Sequence, residues 1–261
     1  VIMVLGEEGH QSGEGRSRTN IGLPGLQMEL LQEIQKVNKN IVLVVMSGRP
    51  LDLSWEDQNI PAIVQAWHLG SKSGDAIAQV LYGDYNPSGK LTMSFPRNVG
   101  QVPVYYNFKN TGRPSTSIEQ VTNSGYADVE NSPLYSFGYG LSYTEFKYSD
   151  FEISSSTMTK DSKINASIRV TNTGNYKGEE VVQLYLRDIV GSIARPMKEL
   201  KGFEKIELNP GESKVVNFEI ENSLLEFYSY NNVWESEPGK FHVFIGADSN
   251  VRDHKEFYLT D

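Results

Sequence analysis

The 261-residue chain contains no cysteine. That removes disulfide frameworks, thiolate metal sites and cysteine nucleophiles together. Positive charge is in deficit, with 24 Lys and Arg against 33 Asp and Glu and a formal net charge of −9. No nucleic-acid partner is expected, because such binding draws on a cationic face that releases counterions. No apolar run approaches the roughly 20 residues that cross a bilayer, so no membrane span is expected, and no signal peptide is visible. Histidine is scarce. His10, His68, His242 and His254 show no metal-ligand spacing, so no metal site is expected. Gly-Lys-Ser/Thr does not occur, which excludes a P-loop. Ser47 lacks the Gly-x-Ser-x-Gly surroundings of a hydrolase elbow.

Hydrophobic residues make up 38% of the chain, enough for buried cores. The length fits one large domain or two. Val1 to Leu5 is a continuous apolar run and reads as a strand buried on both faces. With no initiator Met and a core strand at the first residue, the expectation is a fragment whose upstream partner segments are absent. Apolar residues at Leu26, Leu30, Ile34 and Val37 have helical spacing, so a helix should start near Pro24. Ile41–Met46 and Pro61–Trp67 read as further buried strands. Gly74–Leu81 reads as a small-residue helix, Asn86–Gly89 as a turn, and Leu91–Phe95 as an alternating strand. Strands alternating with helices imply an α/β domain with a mainly parallel sheet.

Residues 107–133 turn polar and aperiodic. Beyond Phe146, short alternating runs recur between turn signals: Ile164–Val170, Val181–Leu186, Phe203–Leu208, Val215–Ile220 and Phe241–Ile245. That grammar implies an antiparallel β-sandwich. The expected fold is α/β plus all-β, with 1–106 a partial α/β sandwich domain, 107–145 a linker and 146–261 the β-sandwich.

The stretch from Gly6 to Arg18 is the richest in chemistry. It follows a strand end, where open α/β sheets place ligands. Its glycines miss the dinucleotide fingerprint, since Arg18 stands where the last glycine would be counted from Gly13 and Gly15. The plain reading is a solvated surface loop. The chemical reading centres on Glu14, a carboxylate between two glycines that can approach a ligand without steric obstruction and act as a general acid. Trp55 and Trp67 can stack on a sugar or fill space, and core packing is the expectation for most of Trp67. Asn165-Ala166-Ser167 fits a glycosylation sequon, and no role is assigned to it.

Several phrases carry a resemblance. Gly83-Asp84-Tyr85-Asn86-Pro87-Ser88-Gly89-Lys90-Leu91 with Phe95-Pro96, Leu23-Pro24-Gly25, Ser47-Gly48-Arg49-Pro50 and Tyr135 to Tyr143 resemble the signature of glycoside hydrolase family 3. Val102 to Tyr106 and Asn110 to Pro114 are similar to members of the periplasmic β-glucosidase type of Gram-negative bacteria. Arg195-Pro196, Leu200-Lys201-Gly202-Phe203 and Pro238-Gly239 resemble the fibronectin type III-like domain that closes those enzymes.

The resemblance implies an exo-acting retaining β-glucosidase that hydrolyses terminal β-glucosyl residues of glucosides or oligosaccharides and needs no cofactor. It implies a nucleophilic Asp on an N-terminal barrel domain that this chain does not contain, so the fragment alone should be inactive. A periplasmic location is implied too. The phrase Glu14-Gly15-Arg16-Ser17-Arg18 matches the family's acid/base loop. The acid/base role therefore passes to Glu14, with Arg16 and Arg18 as candidate substrate-binding residues, though they are also candidates for structural pairing. Glu7 and Glu8 stand where the family assigns no acid/base. The alternatives left open are a non-catalytic carbohydrate-binding module and a structural module.

Overall fold

The computed structural model describes residues 1–114 and 124–261. It divides into two compact units. The first comprises Val1–Tyr85, Met93–Val104 and the described part of 115–135. The second comprises Asn86–Thr92, the segment Tyr105–Pro114 and Ser136–Asp261. The expected linker is thus shared between the two units, apart from 115–123, which lies outside the described residues.

The first unit is built on three parallel strands in the order β1 (Ile2–Gly6), β2 (Val42–Met46) and β3 (Ala62–Gln65). Helix α1 (Gln27–Val37) connects β1 to β2, and a short helix α2 (Ser54–Asn59) connects β2 to β3. Helix α3 (Ser73–Tyr82) follows and ends at Gly83, whose φ of +81° supplies the left-handed cap. The middle strand is buried on both faces: Leu43, Val44 and Val45 are each 0% exposed. A fully buried Leu or Val side chain contributes ~1.5–3 kcal/mol relative to an exposed one, so β2 anchors this unit.

Both expected helices form, as α1 and α3, while two strand expectations, a doubly buried β1 and a strand at Leu91–Phe95, are corrected. The edge strand β1 is covered on one face only: Met3 is buried, while Ile2 and Val4 are 48% and 54% exposed. In α1, Leu31 is buried, but Leu26, Leu30 and Val37 of the apolar stripe face solvent. Helix α3 buries none of its residues. The expected strand Leu91–Phe95 is not regular. Phe95 forms an isolated bridge with Tyr135 in the first unit, and Leu91 bonds Tyr139 in the second.

The second unit is a β-sandwich. One sheet has β4 (Phe146–Ile153), β6 (Ile164–Asn172) and β9 (Ser213–Ile220) in the order β4-β6-β9. The other holds β5 (Thr157–Thr159), β7 (Gly178–Asp188), β8 (Glu199–Leu208), β12 (Gly239–Gly246) and β13 (Lys255–Thr260) in the order β5-β13-β12-β7-β8. Pairing is antiparallel except where β5 joins β13. A helical turn α4 (Asn222–Leu225) and the two-stranded hairpin of β10 (Phe227–Tyr228) and β11 (Trp234–Glu235) complete the unit. Alternation produces the core. Ile164, Ala166, Ile168 and Val170 of β6 pack with Val182, Leu184 and Leu186 of β7 and Phe241, Val243 and Ile245 of β12. Lys90 and Tyr148 both bond the buried Glu180 carboxylate, at 3.2 and 2.8 Å, and so satisfy a charge that β7 takes inside.

Candidate active site

The C-terminal ends of β1, β2 and β3 emit the chain segments that form the site, where parallel sheets place ligands. Gly6 closes β1 with φ +135°, and a Cβ there would stand 1.9 Å from the Met46 carbonyl oxygen, so only glycine permits this approach. The Gln27 side chain then pairs with the Gly6 backbone. Its Oε1 accepts from Gly6 N at 2.7 Å and its Nε2 donates to Gly6 O at 3.0 Å. The start of α1 thereby fixes where the loop leaves the sheet.

Glu7, the next residue, carries a carboxylate with 0% side-chain exposure. A buried charge is costly unless paired and hydrogen-bonded. Arg18 Nη1 donates to its Oε1 at 2.8 Å, and Arg49 Nε lies 3.0 Å from Oε1 and 3.2 Å from Oε2. The same arginines hold the loop backbone. Arg18 Nη2 donates to Gly22 O at 3.1 Å, and Arg49 Nη2 donates to Gln11 O and Arg16 O, both at 2.7 Å. Arg49 is placed by its own segment, where Ser47 Oγ donates to the Arg49 carbonyl at 2.8 Å and accepts from Gln65 Nε2 at 3.1 Å.

Between the two backbone atoms held by Arg49 the chain makes a tight turn, closed by Arg16 N donating to Gly13 O at 3.2 Å. Glu14 and Gly15 are its central residues, and Gly15 has φ +69°, the left-handed value a type II turn needs at its third position. Glu14 therefore sits at the tip. It is exposed, and among the described residues its carboxylate has no hydrogen bond or ion pair. Ser12, Gly13, Gly15, Arg16 and Ser17 of the loop, with Gly48 and Arg49, line an open concavity of about 330 Å³. A Cβ at Gly48 would meet Ser12 Oγ at 1.9 Å, so the space depends on a bare backbone at 48.

The structure places the three sequence-derived candidates differently. Glu14 stands at the turn tip, Arg16 lines the concavity, and Arg18 is committed to Glu7 and the Gly22 carbonyl. Glu8 pairs with His10 at 3.0 Å on the exposed side of the loop. Two residues the sequence did not single out matter to the geometry. Glu7 is the buried hub, and Arg49 ties both flanks of the turn. His68 also comes near, with its Cδ2 3.5 Å from the Gly48 Cβ position. It follows Trp67, whose φ of +51° is unusual for a bulky residue and whose ring meets Phe95 at 5.9 Å. Trp67 is half-buried against that ring, in keeping with packing.

Glu56 lies on α2, beyond the Ser47–Arg49 segment. It is 0% exposed, and neither carboxylate oxygen has a hydrogen-bond partner among the described residues. Burial pushes its pKa from 4.5 up to about 7, with the nearby Asp52 charge adding to the rise.

Residues 1–143 match the glycosyl hydrolase family 3 C-terminal domain, and residues 180–249 match the fibronectin type III-like domain. The chain is 52% identical over 250 residues to the periplasmic beta-glucosidase of Salmonella typhimurium, covering 95% of this chain and 33% of that protein. A beta-xylosidase of Formosa agariphila is 40% identical and is matched over 100% of this chain and 35% of its own length. The crystal structure of beta-glucosidase from Listeria innocua in complex with glucose superposes with a TM-score of 0.93 at 38% identity, covering 100% of this chain and 36% of that one. The chain thus spans about a third of the length of the relatives it matches. It belongs to glycoside hydrolase family 3, of which it carries the C-terminal domain followed by a fibronectin type III-like domain.

Proposed function

We propose that this chain supplies the acid/base half of the active site of an exo-acting, retaining β-glucosidase, with Glu14 as the general acid/base. The observation that carries the reading is the turn. It presents one carboxylate, uncommitted among the described residues, on a glycine-flanked tip whose neighbours Gly13, Gly15 and Arg16 line an open concavity, while Glu7, Arg18 and Arg49 at the loop's base are committed to one another. In a retaining enzyme two carboxyl groups stand ~5–5.5 Å apart across the glycosidic bond. An Asp on an upstream barrel domain of the same polypeptide would attack the anomeric carbon. Glu14 would protonate the departing oxygen, and then take a proton from the water that releases the glucosyl group.

Arg16 faces the concavity and is the better placed of the two arginines to meet a sugar hydroxyl. Arg18 acts from behind, through Glu7, whose buried carboxylate it shares with Arg49. The exposed Ile2, Val4, Leu26 and Leu30 suit packing against an upstream domain. No helix among the described residues is long and apolar enough to cross a membrane, and the Salmonella relative is named as periplasmic. A periplasmic location is part of the same proposal.

The test is complementation. The chain alone should not hydrolyse aryl β-glucosides, and co-expression with the upstream portion of its reading frame should restore hydrolysis. Turnover by the purified chain alone, undiminished by Glu14→Gln, contradicts the division of labour.

A further inference from the structure

Two of the four histidines, His242 and His254, come together in the fibronectin type III-like unit. Register pairs His242 of β12 directly with Glu256 of β13. His254, two residues before Glu256, lies on the same side of that strand's approach. His242 Nε2 lies 3.0 Å from Glu256 Oε1, His254 Nε2 lies 3.9 Å from the same oxygen, and one ligand atom from each of the three residues falls within 4.8 Å of the others. From these contacts we infer a surface site for a divalent transition-metal ion, of the zinc, nickel or copper type, held by His242, His254 and Glu256.

Two contacts orient the donors. His254 Nδ1 lies 3.1 Å from the Arg252 carbonyl oxygen. A carbonyl only accepts, so the neutral ring carries its proton on Nδ1 and turns the Nε2 lone pair toward Glu256. A ring N–H fixed on a backbone carbonyl is the outer-shell arrangement that sets the tautomer of metal-binding histidines. Glu256 is oriented likewise. Lys240 Nζ holds its Oε2 at 2.9 Å, and Oε1 is the oxygen that faces the imidazoles.

Donor chemistry selects the ion. Imidazole nitrogen suits zinc, copper and nickel, whereas magnesium and calcium prefer an all-oxygen shell. With bonds of ~2.0–2.2 Å, three donors on one such ion lie roughly 3–3.5 Å apart, so His254 has under about 1 Å to close toward Oε1. The two rings stack at 4.1 Å and 17°. Capture therefore requires His254, the more exposed of the two, to tilt out of the stack so that its lone pair comes into line. Three protein donors leave positions for water, and Arg187, the other cross-strand neighbour of His242, opposes the ion's charge. Affinity in the micromolar range is the expectation.

The experiment is calorimetric titration of the whole chain, without a polyhistidine tag, with zinc chloride. One saturable equivalent is expected, weakened about tenfold or more by His254→Ala and by Glu256→Gln, and unchanged by His10→Ala, which removes the histidine paired with Glu8. With copper as the probe, electron paramagnetic resonance should show coupling to two nitrogens, falling to one in His254→Ala. Circular dichroism confirms that each variant folds, and His254 is exposed enough for its removal to be tolerated. No saturable binding, or an affinity that follows His10→Ala in place of His254→Ala, overturns the assignment.

Discussion

Arg49 and Glu7 stand 42 residues apart in the chain, yet the Arg49 Nε lies within 3.2 Å of both Glu7 carboxylate oxygens. The pairing of β1 with β2 brings them together, because the segments that leave these neighbouring strands start side by side. Through Nη2 Arg49 grips the backbone on either side of the Glu14 turn. The position of the proposed acid/base is therefore set by a buried ion cluster beneath it.

Removing Arg49 should loosen the turn and strand part of a buried charge. Arg49→Ala is expected to cost roughly 1–3 kcal/mol in urea denaturation of the chain, less than a fully broken buried pair because Arg18 remains on Glu7. In the full-length protein kcat should fall more than KM rises, with partial recovery in Arg49→Lys. A kcat unchanged in Arg49→Ala would remove the positioning role.

The Gly48–Ser12 contact predicts a coupled pair. Gly48→Ala drives a methyl into Ser12 Oγ and should destabilise the chain by about 1–3 kcal/mol. Combining it with Ser12→Gly relieves the overlap, so a double-mutant cycle should show favourable coupling. Additive losses would mean that the two residues do not share that space.

Glu56 makes stability depend on pH in a defined direction. Its folded-state pKa is raised from 4.5 to about 7, so its stabilising contribution is complete below 4.5 and drains away as pH rises toward 7. Each pH unit in that window is worth about 1.4 kcal/mol, so the loss is on the order of 3 kcal/mol. Denaturation between pH 4.5 and 8 should show Glu56→Gln overtaking the parent as pH rises. Parallel curves for the two proteins would contradict the burial of an unpartnered carboxyl.

The exposed apolar residues of β1, α1 and α3 predict behaviour of the chain by itself. Ile2, Val4, Leu26, Leu30, Val37 and Tyr82 leave apolar area in water. Self-association in sedimentation, or binding of an apolar-surface dye, is expected, and both should be suppressed by Val4→Thr with Leu30→Gln. A dye-silent monomer would argue against a missing partner on this side.

How much of this was legible depended on whether the signal was local. The buried run 41–46 and the alternation of β6, β7, β9 and β12 announce themselves, because burial on two faces or on one leaves a direct periodic trace. Helix α2 left none. Ser-Trp-Glu-Asp-Gln-Asn has no apolar period, and its most buried member is the acid Glu56. The stripe Leu26, Leu30 and Val37 misled in the other direction, since period reveals an apolar face but not which surface covers it. The candidacy of Glu14 rests on its glycine flanks and its motif, both of them local. Glu7 was not, because its burial arises from two arginines that only strand pairing and the loop's return bring within reach. The same limit hid His242 and Glu256, which a β-ladder joins, and His254, which stacks on His242.

The most direct measurement is azide rescue in the full-length protein. General acid/base catalysis is typically worth ~10²–10⁴-fold. Glu14→Gln should cleave aryl glucosides with good leaving groups almost normally in the first step, then stall at the glucosyl-enzyme, which needs a base to recruit water. Azide attacks without such help, so turnover should recover with glucosyl azide as the product. Glu7→Gln and Glu8→Gln should show no rescue. Azide rescue of Glu8→Gln or Glu7→Gln, with Glu14→Gln left at parental activity and insensitive to azide, would contradict the assignment of Glu14.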